Sequence, residues 1–127
     1  MDNGIYDALK NDGKVRIIQE TVPGKQITLA HIIANPDPVL YVKLGLDSMG
    51  DYQTSAIGIL TMTPSETTII AGDIASKASG AELGFVDRFS GTLIVTGSVS
   101  QVVEAVDAIC AYVSETLGFS VCPITKT

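Results

Sequence analysis

The stretch AIGILTMTPSETTIIAGDIASKASGAELGFVDRFSGTLIVTG, residues 56–97, decides the fold. It opens on Ala56 to Met62, an apolar run of strand length. Thr63-Pro64-Ser65-Glu66 then has the form of a capping box with proline at the first helical position, which predicts a helix from Pro64 to about Ser79. Ile70, Ala71, Ile74, Ala75 and Ala78 fall on one side of that helix, and Gly80 can take the left-handed conformation that closes it. Leu83 to Phe89 reads as the next strand, and Ser90-Gly91 as a tight turn into Thr92 to Thr96. Those two strands make an antiparallel hairpin.

Toward the C-terminus, Ser98 with Gln101 three residues on starts a second helix after Gly97. Its Val99, Val102, Val103, Val106, Ile109, Cys110, Val113 and Leu117 form a nearly unbroken apolar stripe. Gly118 ends it, and Phe119 to Thr125 predicts a last strand. The body is therefore α+β, with the β-α-β-β-α-β order of a ferredoxin-like fold. Its halves echo each other in Leu83-Gly84-Phe85 and Leu117-Gly118-Phe119. Right-handed crossovers put both helices on one face of the sheet, leaving the other for a cover such as a neighbouring subunit.

Toward the N-terminus, Gln26 to Ala34 (QITLAHIIA) is an extra strand ahead of the body, stopped by Asn35-Pro36-Asp37-Pro38. Val39 to Leu46 predicts a short helix, and Asp47 to Ser55 a polar loop. Residues 15–20 (VRIIQE) are β-prone but lack a local partner, and Val22-Pro23-Gly24 reads as a turn. Residues 1–14 are polar, with two glycines, and are expected to be a flexible extension.

A chain of 127 residues with 46% hydrophobic content fits one domain. Its 17% charged residues fall short of the usual quarter, which implies apolar surface meeting another protein. The net charge of −6 comes with Lys and Arg scattered singly, and so excludes the phosphate-neutralising patch that nucleic acid requires. No apolar run reaches the length of a membrane span, and MDNGIYDALKND has acids where a signal peptide carries basic charge, so a cytoplasmic protein is expected. Cys110 and Cys122 are read as apolar thiols rather than a disulfide framework or zinc site.

No constellation for catalysis, cofactor binding or metal ligation emerges. His31, the only histidine, lies in an apolar strand and reads as a hydrogen-bonded structural side chain. Gly13-Lys14 and Gly24-Lys25 lack the spacing of a phosphate loop, and no GxGxxG follows a strand. Asp73 and Lys77, four apart on a helix, suit an intrahelical ion pair. Asp87 and Arg88 fall at the hairpin tip, where polar residues are ordinary and function also concentrates.

The segments RIIQE, VPGKQITLAHIIANP, SAIGILTMTPSE, IIAGDIASK, LGFVDRFSGTLIVTGSVS and CPITKT occur in one order over residues 15–127. In them the chain resembles the bacterial microcompartment (BMC) shell proteins, specifically the circularly permuted single-domain hexamers of the EutS/PduU type. Residues 1–14 and the loop from Asp47 to Thr54 match weakly. The resemblance implies a single permuted BMC domain over 15–127, assembled as a homohexameric tile that packs edge to edge with other shell proteins around encapsulated enzymes in the cytoplasm. In unpermuted relatives the strand matching Gln26 to Ala34 comes last.

By position, the resemblance places Asp87, Arg88, Phe89, Ser90 and Gly91 around the central pore. Arg16, Ile17, Ile18, Gln19 and Glu20, within residues 15–22, match a segment that pairs with its symmetry mates into a six-stranded axial barrel capping that pore. Lys77 matches a lysine at the hexamer edge. Asn35 stands where unpermuted relatives often carry an edge arginine, so its contact would be neutral. The other reading of such a body is a regulatory small-ligand module, because ferredoxin-like domains often serve that role and fold alone does not fix function.

Overall fold

The computed structural model describes residues 24–46 and 56–127. The expected axial strand at Arg16 to Glu20, the extension 1–14 and the loop from Asp47 to Ser55 lie outside the described residues.

Strand β1 (Gln26–Ile33) leads into helix α1 (Pro38–Leu44), followed by β2 (Ala56–Thr63) and α2 (Thr67–Ala78). Then come β3 (Glu82–Asp87), β4 (Thr92–Gly97), α3 (Val99–Glu115) and two two-residue strands, β5 (Ser120–Val121) and β6 (Thr125–Lys126). The described sheet is open and mixed, in the order β3-β4-β2-β1-β5, with β6 also on β1. Strand β1 runs antiparallel to β2 but parallel to β5 and β6, so the early strand is inserted between the body's own β2 and β5. This is the α+β body that the sequence predicts.

Helix α3 starts where its signals say. The Ser98 hydroxyl accepts from the Gln101 backbone N–H at 3.2 Å, while the Gln101 side chain accepts from the Ser98 N–H at 2.9 Å. Gly118, at φ 75°, closes the chain beyond it. Val102, Ala105, Val106, Ile109 and Val113 are fully buried over Leu60, Leu93 and Val95 of the sheet. Gly58 lies beneath them, and a Cβ there would sit 2.9 Å from Val102 Cγ1. The predicted stripe ran wider: Val99 is exposed, and Val103 and Leu117 are half-buried at its margins.

Helix α2 departs from the sequence reading at both ends. It begins at Thr67 rather than Pro64, and Glu66 makes no capping hydrogen bond. Backbone bonds from Thr67, Thr68 and Ile69 to the carbonyls of Pro64, Ser65 and Glu66 tighten that segment into a turn. The buried Thr68 hydroxyl completes it by donating to the Ser65 carbonyl at 2.8 Å. At the other end Ser79, in extended conformation, is the C-cap, and Gly80 is not left-handed. Gly80 is instead a point of close approach, since a Cβ there would meet the Gln101 amide at 2.5 Å.

The predicted strand from Phe119 to Thr125 is broken into β5 and β6. Pro123 lies between them and has no N–H to give to the ladder.

The face opposite α2 and α3 is partly covered by this chain itself. Tyr41 of α1 and Ile57 of β2 are fully buried yet stand outside the cluster beneath the two helices. The Tyr41 hydroxyl donates to the Ala56 carbonyl, and Leu46 lies against Gly84 beside Ile94. Asp37 caps α1 by accepting from the Val39 N–H.

Candidate functional site

Two groups of sequence-selected residues lie at opposite ends of the sheet. Pairing of Thr92 with Thr61 and of Gln26 with Thr63 puts the hairpin tip at the end where β1 begins and β2 finishes. Pairing of Ile33 with Ile57, Ala56 with Gly97 and Glu82 with Thr96 puts Asn35, the last turn of α2 and the start of β3 at the other end. Asn35 and Lys77 thus share one end, and the segment from Asp87 to Gly91 occupies the other.

The tip is built by its own side chains. Asp87 Oδ1 accepts from the Phe89 N–H at 2.9 Å, and the Asp87 carbonyl accepts from the Gly91 N–H at 2.9 Å. These bonds span Arg88 to Gly91, so the turn is longer than the two-residue Ser90-Gly91 connection predicted, and β3 ends at Asp87 rather than Phe89. Gly91 has φ 81° and accepts from the Met62 N–H, a left-handed position hemmed in by backbone that no side chain fits. The Phe89 N–H, with help from the Ser90 side chain, holds the Asp87 carboxyl below its ordinary range. Phe89 is 79% exposed, and the Arg88 guanidinium lies 4.8 Å from its ring centre. A groove of about 360 Å³ runs between these residues, Val86 and Ile69.

At the opposite end, Lys77 Nζ lies 2.8 Å from Asp73 Oδ2 on the exposed side of α2. The hydrogen bond that Lys77 donates to Asp73, and secondarily the charge of that carboxylate, raise the Lys77 pKa above its ordinary value. Ile70, Ile74, Ala78 and Tyr112 join this pair around a second groove of about 370 Å³. Ser79 fastens the end of α2 to α3 by donating its hydroxyl to the Gln101 carbonyl while accepting from the Ala81 N–H. Asn35 is exposed just past β1.

His31 takes the structural role read from the sequence. Its Nδ1 is 2.6 Å from Thr125 Oγ1 and its Nε2 is 3.0 Å from Thr127 Oγ1, so the imidazole ties the segment around β6 to β1. Sequence reasoning missed those partners, which lie more than ninety residues away in the chain. Cys110 is buried and Cys122 half-buried, both as free thiols. Burial, with smaller contributions from Cys122 and Asp107, pushes the Cys110 thiol up to about 11, which leaves it protonated at neutral pH. Among the described residues, no group of three His, Cys, Asp or Glu side chains is arranged to hold a metal ion, and no helix is long and apolar enough to cross a membrane.

Residues 56–125 match the BMC domain. The PduU shell protein of Salmonella typhimurium is 53% identical over 112 residues, covering 88% of this chain and 93% of PduU. The chain belongs to the BMC-domain family of bacterial microcompartment shell proteins. Another such BMC relative, the EutS shell protein of Escherichia coli, is 49% identical over 90% of this chain and 98% of its own length. Among solved BMC structures, the CutR flat hexamer (form 1) superposes with a TM-score of 0.76 at 47% identity, covering 88% of this chain and 99% of that one. The chain is accordingly a structural shell protein of the EutS/PduU type, not an enzyme.

Proposed function

We propose that this chain forms a homohexameric tile in the shell of a bacterial microcompartment in the cytoplasm, lying edge to edge with other shell proteins around encapsulated enzymes. The observation that carries this reading is the likeness to the CutR flat hexamer along nearly the whole length of that chain. In the tile, the hairpin tip from Asp87 to Gly91 surrounds the six-fold axis and Lys77, with Asn35, meets the next hexamer at the rim. The separation of these two groups to opposite ends of the sheet supports that arrangement, since pore and rim must lie apart.

The domain is a circular permutation of the BMC fold. Support comes from β1, which precedes the matched residues 56–125 in sequence yet sits in the middle of the sheet. Arg16 to Glu20, β-prone and without a local partner in the sequence, form the axial barrel with the same segment of the other five chains. Electron microscopy of the purified full-length chain tests the tile. Six-fold class averages joined along straight edges are expected, and particles without six-fold symmetry contradict the reading.

A further inference from the structure

Cys110 and Cys122 come together in one apolar cluster on the side of α3 turned away from α2. Gln101 and Tyr112 face α2 and the turn after it, whereas Val103, Cys110 and Leu117, spaced by whole heptads, form a row on the other flank. Phe119, Val121 and Cys122 pack against the same cluster. The chain reaches that flank by a tight return. The Phe119 N–H bonds to the Val113 carbonyl, and β5 then runs along β1, back in the direction from which α3 came. Three extended residues cover about 10 Å, close to two turns of helix, so Cys122 comes back alongside the turn that bears Cys110.

Cys122 also sits where the edge of the sheet is weakest. Pro123 breaks the ladder between β5 and β6. Beside that break the Ala30 N–H donates to the Cys122 sulfur, and the Ala30 carbonyl accepts from the Thr125 hydroxyl. A thiol and a hydroxyl thus stand in for strand pairing. Burial raises both thiols, and Cys122 adds to the rise at Cys110. Cys122 is the more open of the two, within reach of a small oxidant, with Cys110 buried behind it.

We propose that Cys110 and Cys122 are a redox pair, closed by a peroxide into an intrachain disulfide that latches the β5–β6 edge to α3, and reopened by a dithiol. The Cys122 sulfur attacks one peroxide oxygen; the O–O bond breaks, one oxygen stays on sulfur as a sulfenic acid, and the other leaves as water. The Cys110 sulfur then attacks the Cys122 sulfur, the S–O bond breaks, and a second water departs with the Cys110 proton. The two thiols lose two electrons, which reduce one hydrogen peroxide to two waters. The two-residue strands on either side of Pro123 are the part that yields to bring the sulfurs to bonding distance, since few ladder bonds hold them. A reversible bond of this kind is the form in which disulfides serve in a reducing compartment.

Peroxide treatment of the purified full-length assembly, fully reduced beforehand, tests the latch. Hydrogen peroxide at neutral pH, followed by a maleimide under denaturing conditions, is expected to leave a chain about 2 Da lighter that takes up no maleimide. Cleavage after Glu115, which lies between the two cysteines, should then give fragments that part only on reduction. Dithiothreitol should restore two reactive thiols. Exchange at the Cys122 amide, which bonds to the Ile27 carbonyl, should be several-fold slower in the oxidised chain. In Cys110→Ala the Cys122 sulfenic acid has no partner and should be captured by dimedone. The wild-type result stands without the variant. Two free thiols after peroxide, a disulfide joining two chains, or equal dimedone capture in wild type and Cys110→Ala would each overturn the pair. Unchanged exchange at Cys122 in the oxidised chain would overturn the latch.

Discussion

Lys77 Nζ and Asp73 Oδ2 lie 2.8 Å apart, one helical turn along α2, with both side chains largely in water. An exposed pair of this kind adds little to stability, so its consequence is placement: the carboxylate fixes where the ammonium stands. Lys77→Ala is therefore expected to leave the melting temperature and solution mass unchanged while reducing sheets or tubes in electron micrographs. Undiminished sheets would remove Lys77 from the rim. Because Asp73 raises the lysine pKa above 10.5, the ion pair persists below that pH and is lost as pH rises through the raised value.

Asp87 titrates in the other direction. The Phe89 N–H bond holds its carboxyl below 3.8, so its support of the hairpin tip is present above that pH and fades as pH falls through the lowered value. Carbon-detected NMR is expected to give Asp87 a midpoint under 3.8. Asp87→Ala should speed hydrogen exchange at the Phe89 amide, and a midpoint at or above 3.8 with unchanged exchange would show that the turn bond does not form.

Gly58→Ala pushes a methyl to within 2.9 Å of both Val102 Cγ1 and Val95 Cγ2, two fully buried side chains. Overpacking of this kind costs about 1–3 kcal/mol. A lower denaturation midpoint in urea is expected, with the slope unchanged. An unaltered midpoint would mean that α3 rides higher above the sheet.

Val106 is fully buried in the α3 stripe. Val106→Asp places an unpaired carboxylate there, a change large enough to prevent folding in a domain of marginal stability. Insoluble or unfolded protein by circular dichroism is the expected result. Folded, soluble protein would place the stripe on the wrong face of the helix.

His31→Phe keeps an aromatic ring at this position but removes both hydroxyl contacts, at a cost of about 1–3 kcal/mol for two typical bonds. Faster hydrogen exchange is expected at the Thr127 amide, which bonds to the Ile32 carbonyl, with little change at Val102 in α3. Equal exchange at both amides would contradict the tether.

What was legible in the sequence is what depends on near neighbours. Helix α3 carried its start and stop in Ser98, Gln101 and Gly118, all within a turn of its ends, and the β3–β4 hairpin announced itself through Ser90-Gly91. The start of α2 departs from its capping pattern because a turn locked through the buried Thr68 hydroxyl takes the place of the first helical turn. Insertion of β1 between β2 and β5, and the tether from His31 to Thr125 and Thr127, depend on contacts across most of the chain that no local pattern encodes. The residues chosen at the tip and at the rim owed their selection to the family resemblance. Spacing alone left Lys77 as an ion pair and Asp87 with Arg88 as turn residues.

Light scattering coupled to size exclusion, on the purified full-length chain, tests the tile most directly. Six chains of 13.3 kDa should elute as one species of about 80 kDa. A monomer or dimer at every concentration would contradict it.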